Sequence, residues 1–127
     1  MLSPMTSETM HQFAVKWIEN WNRRDIEGVL SHFADDAQFI SPKAITFVGT
    51  PVLKSKSELR NYWSIGLTHI QRVVFNLYST VCDPASRTLV VLYEADLNGT
   101  VARACEVMRF DEQGRQIFGE ALYGAPV

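Results

Sequence analysis

The sequence predicts an α+β domain in which helices cover one face of a strongly curved antiparallel sheet, and three observations predict it. Apolar residues recur at three- and four-residue steps over the first third of the chain, as on the buried face of a helix. From Ile70 onward, β-branched and aromatic residues dominate instead and are broken at intervals by turn residues. The chain has 127 residues, 46% apolar and 20% charged, which suits a single domain over 1–127 with one sizeable core. Helices followed by a run of strands form segregated layers, and a sheet curling around helices leaves a hollow open at one end.

Each element follows from local chemistry. Residues 1–7 are read as a flexible N-terminus, ending in Thr6 or Ser7 as the cap of a first helix. Met10, Phe13, Ala14, Trp17, Ile18 and Trp21 form its apolar face, and Arg23 and Arg24 suit its C-terminus. Asp25 caps a short second helix in which Ile26, Val29, Leu30 and Phe33 share a face. Ala34-Asp35-Asp36-Ala37 is a polar turn into a short strand, Gln38 to Ser41, stopped by Pro42. Lys43 to Lys54 contains Gly49 and Pro51 without a sustained period and reads as a loop. Ser55-Lys56-Ser57-Glu58 fits a capping box for a third helix that turns Leu59, Tyr62, Trp63 and Leu67 inward. Strands follow over Val73–Val81, Arg87–Leu97, Thr100–Phe110 and Arg115–Tyr123. Asn98-Gly99 is the strongest hairpin signal, because both residues tolerate the positive φ of a type I′ turn.

Several function classes are disfavoured. Net charge is −2 with no lysine or arginine cluster, so no nucleic-acid partner is expected. No apolar run approaches the roughly 20 residues that cross a bilayer, so no membrane partner is expected. Residues 1–8 lack the basic start and apolar stretch of a secretory signal, and Cys82 and Cys105 stand far apart. The simplest reading is two reduced thiols in a cytoplasmic protein, with a disulfide left open. His11, His32 and His69 have no partners at metal-ligand spacing, and no glycine-rich phosphate loop occurs, so neither metal nor cofactor is expected. Asp35-Asp36 is read as a solvated pair, not as a catalytic one.

The segment Trp17-Ile18-Glu19-Asn20-Trp21-Asn22-Arg23-Arg24-Asp25-Ile26-Glu27-Gly28-Val29-Leu30, then Phe33-Ala34-Asp35-Asp36-Ala37, resembles the opening of nuclear transport factor 2-like proteins. More closely, it is similar to the SnoaL-like polyketide cyclase and ketosteroid isomerase-related branch. The run Glu106-Val107-Met108-Arg109-Phe110-Asp111-Glu112-Gln113-Gly114-Arg115, with Ala121-Leu122-Tyr123, is the second matching stretch. The resemblance implies a cone-shaped, cystatin-like fold with three N-terminal helices and an enclosed apolar pocket. It is specific for fold and weak for function. Where ketosteroid isomerases place an aspartate base just before a proline, this chain has Ser41 before Pro42, which makes their ordinary reaction doubtful here. Their tyrosine donor falls at Trp17 and their protonated aspartate at Glu106.

Glu106 is the candidate catalytic residue. Strand alternation puts Ala102, Ala104, Glu106 and Met108 on one face, so that a lone carboxyl stands among small and apolar side chains. Burial there raises its pKa and suits it to general acid–base work on a carbonyl compound. The competing reading has Glu106 facing solvent, or paired with Arg103 or Arg109. The expected pocket wall comprises Trp17, Trp21, Phe39, Ser41, Trp63, Tyr93, Ala104, Met108, Gly119 and Tyr123, with Gly119 and Ala121 leaving room for a ligand. Of the aromatic residues Trp17, Trp21, Phe39, Tyr62, Trp63, Tyr93 and Tyr123, three or four are expected to reach the pocket. Three functions compete: an isomerase or cyclase acting through Glu106 on a small hydrophobic carbonyl ligand, a non-catalytic binder, or an interaction module with a plugged pocket. A homodimer through the sheet face is what the resemblance implies.

Overall fold

A computed structural model describes residues 5–126. Helix α1 (Ser7–Asn22) starts at Thr6, whose hydroxyl accepts from the Thr9 amide while the Thr9 hydroxyl accepts from the Thr6 amide. Thr6 and Ser7 thus belong to the cap and first turn of the helix, and the rest of the expected flexible N-terminus, residues 1–4, lies outside the described residues. Its Met10, Ala14, Trp17, Ile18 and Trp21 are buried, as the spacing predicts. Asp25 accepts from the Gly28 amide and caps helix α2 (Ile26–Leu30).

Strand β1 (Phe33–Ile40) absorbs both Phe33, expected on α2, and the expected turn Ala34–Ala37. Its register against the last strand shifts between Phe33 and Gln38, and that irregularity accommodates the two exposed aspartates. The expected loop 43–54 holds a one-turn helix, α3 (Ala44–Val48), ended by Gly49 at φ 81°, and a two-residue strand, β2 (Val52–Leu53). Both elements are too short for periodicity to reveal. Ser55 caps α4 (Lys56–His69) by accepting from the Glu58 amide, but the Glu58 carboxylate takes the Lys54 amide, so the expected capping box is not closed.

Strands β3 (Val73–Asp83), β4 (Thr88–Leu97), β5 (Thr100–Phe110) and β6 (Gln116–Pro126) form an antiparallel meander. The β4–β5 turn has Asn98 and Gly99 at φ 55° and 89°, as a type I′ hairpin requires. The sheet order is β2-β1-β6-β5-β4-β3, and β1 runs parallel to β6, so the sheet is mixed and not wholly antiparallel. The α+β class stands, with α3 as an additional helix. Asn22 at the end of α1 ties the helix to the sheet edge: its amide nitrogen donates to the Phe75 carbonyl at 2.9 Å and its oxygen accepts the Phe75 amide at 2.7 Å.

Candidate functional site

The inner face of the meander is a lattice of rows, each about 7 Å from the next because side chains two apart along a strand share a face. Leu89, Met108 and Gly119 form the row at the closed end. Val91, Glu106 and Ala121 form the next, Tyr93, Ala104 and Tyr123 the third, and Ala95 with Ala102 the fourth. Glu106 is therefore flanked across the strands by a valine and an alanine, with two phenols one row outward.

A cavity of about 620 Å³, counted out to its open mouth, lies over the second and third rows. Helix α1 supplies Trp17 and Trp21, the β1 end supplies Phe39 and Ser41, and α4 supplies Tyr62 and Trp63. Tyr93, Glu106, Ala121 and Tyr123 complete the sheet side. All seven aromatic residues named from the sequence line this cavity, more than the three or four expected. Several of them pack edge to face, Trp21 on Trp63 with ring centroids 5.1 Å apart and Trp17 on Tyr93 at 5.2 Å, which fixes that part of the wall. The cavity is open, so the plug expected of a pure interaction module is not present.

Three of the expected wall residues do not reach it. The Ala104 methyl is overtopped by the tyrosines on either side, and Met108 lies fully buried in the row beneath Glu106. Gly119 is occupied from above by Phe39: a Cβ there would stand 2.7 Å from the Phe39 Cδ2. The missing side chain makes room for protein and not for a ligand.

Glu106 is 4% exposed and lines the cavity, so neither solvent exposure nor pairing with Arg103 or Arg109 describes it. Desolvation alone pushes its pKa up to about 8. Burial also raises Tyr62, Tyr93 and Tyr123, and the Glu106 charge adds to the rise at each, so all three phenols keep their protons. The Ser41 and Tyr62 hydroxyls are hydrogen-bonded to each other at 3.0 Å. Ser41, at the position where an isomerase would carry its base, is thus committed to orienting a phenol. The indole N–H groups of Trp17 and Trp21 are buried without a partner among the described residues.

Sequence reasoning missed Lys43 and Phe47, which line the mouth from the stretch read as a loop. It also missed Gly66, Leu67 and Ile70 around the C-terminus of α4, and Val73, Phe75 and Leu97 on the sheet. The Arg24 guanidinium donates to the carbonyls of Leu67 and Ile70 and fastens that rim. Cys82 and Cys105 are free thiols. Among the described residues, no helix is long and apolar enough to cross a membrane, and no group of three or more His, Cys, Asp or Glu could hold a metal ion.

A helix-covered sheet with one open cone is the architecture of nuclear transport factor 2-like proteins, and the sequence narrows this further. Residues 14–117 match the SnoaL-like domain family, and the chain belongs to that family. A SnoaL-like protein of unknown function from Burkholderia thailandensis superposes with a TM-score of 0.84 at 27% identity, covering 97% of this chain and 100% of the other. An NTF2-like protein of unknown function from Burkholderia pseudomallei gives 0.79 at 21% identity, over 94% and 92%. TerC, co-crystallised with polyporic acid, gives 0.70 at 15% identity, over 91% of each chain, and shares the fold. No curated protein matches the chain.

Proposed function

We propose that the protein binds a small, flat, hydrophobic carbonyl compound, polyketide- or steroid-like in its apolar body, and that Glu106 moves a proton at the carbon beside the carbonyl. One observation carries this reading: a single carboxyl, 4% exposed, set in a wall of aromatic rings with no charged partner to hold it ionised. With its pKa at about 8, about one molecule in ten carries the carboxylate at pH 7, so both forms are on hand for proton exchange.

In the proposed reaction the Glu106 carboxylate takes the α-proton, and the electron pair of that C–H bond moves into the carbonyl group as an enolate. Tyr93, held protonated, lies on the same cavity and supplies a donor for the enolate oxygen. The Glu106 carboxylic acid then returns the proton to another carbon, which is isomerisation, or the enolate carbon attacks a second carbonyl and Glu106 returns its proton to the alkoxide so formed, which is ring closure. That TerC was co-crystallised with polyporic acid is consistent with small-molecule binding within this architecture.

The test uses 2-acetylnaphthalene in D2O, with loss of the methyl proton signal followed by NMR. The wild type should accelerate exchange, and Glu106→Gln should slow the protein-catalysed rate by about 100-fold or more. Quenching of tryptophan fluorescence by the ketone without accelerated exchange would establish the second reading, a non-catalytic binder. A homodimer through the outer sheet face belongs to the same proposal. Tyr78, Val81 and Leu122 are about half exposed on that side of the strands, at 55%, 58% and 46%. Sedimentation velocity of the wild type against Val81→Glu/Leu122→Glu decides it, a monomeric wild type ruling the dimer out.

A further inference from the structure

The aromatic cavity does not end at the tyrosine row. A second hollow, about 820 Å³ counted out to solvent, continues along the same sheet face over the Ala95–Ala102 pair to Leu97 and Thr100. Lys43, Phe47, Ile70, Leu97 and Tyr123 line both hollows, so the two form one channel with a waist. On β5 the inner-face positions from Glu106 through Ala104 and Ala102 to Thr100 span six residues, or about 20 Å along the strand.

The channel carries its two charged groups at different depths. Among the described residues, Glu106 and Lys43 are the only carboxyl and the only cation lining it. The Lys43 Nζ stands 4.4 Å from the centroid of the Tyr123 ring, and none of the ion pairs among the described residues includes it. Its ammonium is therefore free to meet an anion on the outer side of the waist, where Thr46, Asn98 and Thr100 line the second hollow. We infer that Lys43 is a specificity-determining residue, and that the channel takes an elongated hydrophobic carbonyl compound carrying a carboxylate at its outer end. The carboxylate pairs with Lys43 while the carbonyl end lies against Glu106. The reverse orientation would bury a second carboxylate beside Glu106, without a cation and away from water, and is excluded on cost. This inference rests on reading the inner cavity as a carbonyl site.

The probes are 4-(6-acetyl-2-naphthyl)butanoate and its primary amide, which place a ketone and a carboxylate or neutral amide at opposite ends of one flat body. Both are titrated into the protein by calorimetry at low ionic strength. Wild type should bind the carboxylate about fivefold tighter than the amide, the upper range for a solvent-screened ion pair, with the difference shrinking as salt is added. Lys43→Gln should abolish the preference, so that the two probes bind equally, and Lys43→Arg should keep it. Lys43 is exposed, so neither change should disturb folding. Equal binding of the two probes by wild type, or a preference that survives in Lys43→Gln, overturns the assignment of Lys43 and leaves the inner site standing. Binding of neither probe overturns the carbonyl reading of the inner cavity, and this inference with it.

Discussion

Replacing Glu106 by glutamine keeps the shape of the side chain and removes its proton equilibrium, which makes the cost of burying this carboxyl measurable. In the unfolded chain the group releases its proton near pH 4.5, whereas in the folded protein it does so at about 8. Between those values the folded state holds about one more proton than the unfolded state, so unfolding free energy falls as pH rises. The contribution is fully present below pH 4.5 and is lost by the time pH has passed through 8. The gap of about 3.5 pH units, at about 1.4 kcal/mol each, amounts to up to about 5 kcal/mol. That is comparable with the whole stability of a small domain, so wild type should be marginal above pH 8.

Urea denaturation of wild type and Glu106→Gln at each pH from 5 to 9 reads this directly, because every other titrating group is common to both and cancels. The stability difference should move in favour of glutamine by about 1.4 kcal/mol per pH unit and level off above pH 8. Any constant offset from the amide's own hydrogen-bonding needs leaves the slope untouched. Parallel stability profiles between pH 5 and 8 would mean that the carboxyl is solvated or paired in the native state, and the proposed acid–base role would lose its basis.

The remaining predictions concern the same lattice. If the Glu106 carboxylate is the base, kcat/KM for exchange of 2-acetylnaphthalene should rise about tenfold per pH unit below about 8 and flatten above it; a plateau already reached at pH 6 contradicts this. Tyr62→Phe strands the Ser41 hydroxyl, which is 1% exposed, and should cost about 1–2 kcal/mol in urea unfolding. Adding Ser41→Ala to that variant should cost little more, since the orphaned group is then gone. Gly119→Ala drives a methyl to within 2.8 Å of two Phe39 ring carbons and should lower stability by about 1–3 kcal/mol, seen as a Tm several degrees lower. An unchanged Tm would show that Phe39 does not fill that space.

The parts of the fold legible in the sequence were those with long periods or a strong local rule. The α1 face from Met10 to Trp21, the Asn98-Gly99 hairpin and the alternation that turns Glu106 inward all follow from spacing or φ preference. What escaped was short or non-local. A five-residue helix and a two-residue strand leave no periodic trace in 43–54, and the parallel β1–β6 pairing joins segments some eighty residues apart. Asp35-Asp36 looked like a turn because its composition is that of a turn, yet it lies within β1, in the irregular stretch between the residues that pair with β6 at Phe33 and Gln38.

The site divides along the same line. Alternation along β5 places the carboxyl, but only the cross-strand register shows that Tyr93 and Tyr123 stand one row outward and overtop Ala104. Gly119 invited the reading of a space left for a ligand; the space belongs to Phe39, a residue of a different strand that no local pattern connects to it. Ser41 shows the point most sharply. The resemblance to isomerases sets it where their base would stand, and by its own contacts it is the partner that orients the Tyr62 phenol at the cavity wall. The chemistry we propose for this cone is therefore narrower than that of a two-group acid–base site. On the proposed reading one carboxyl both removes and returns the proton, the donors around it stay neutral, and discrimination between ligands comes from further out, where Lys43 stands at the waist of the channel.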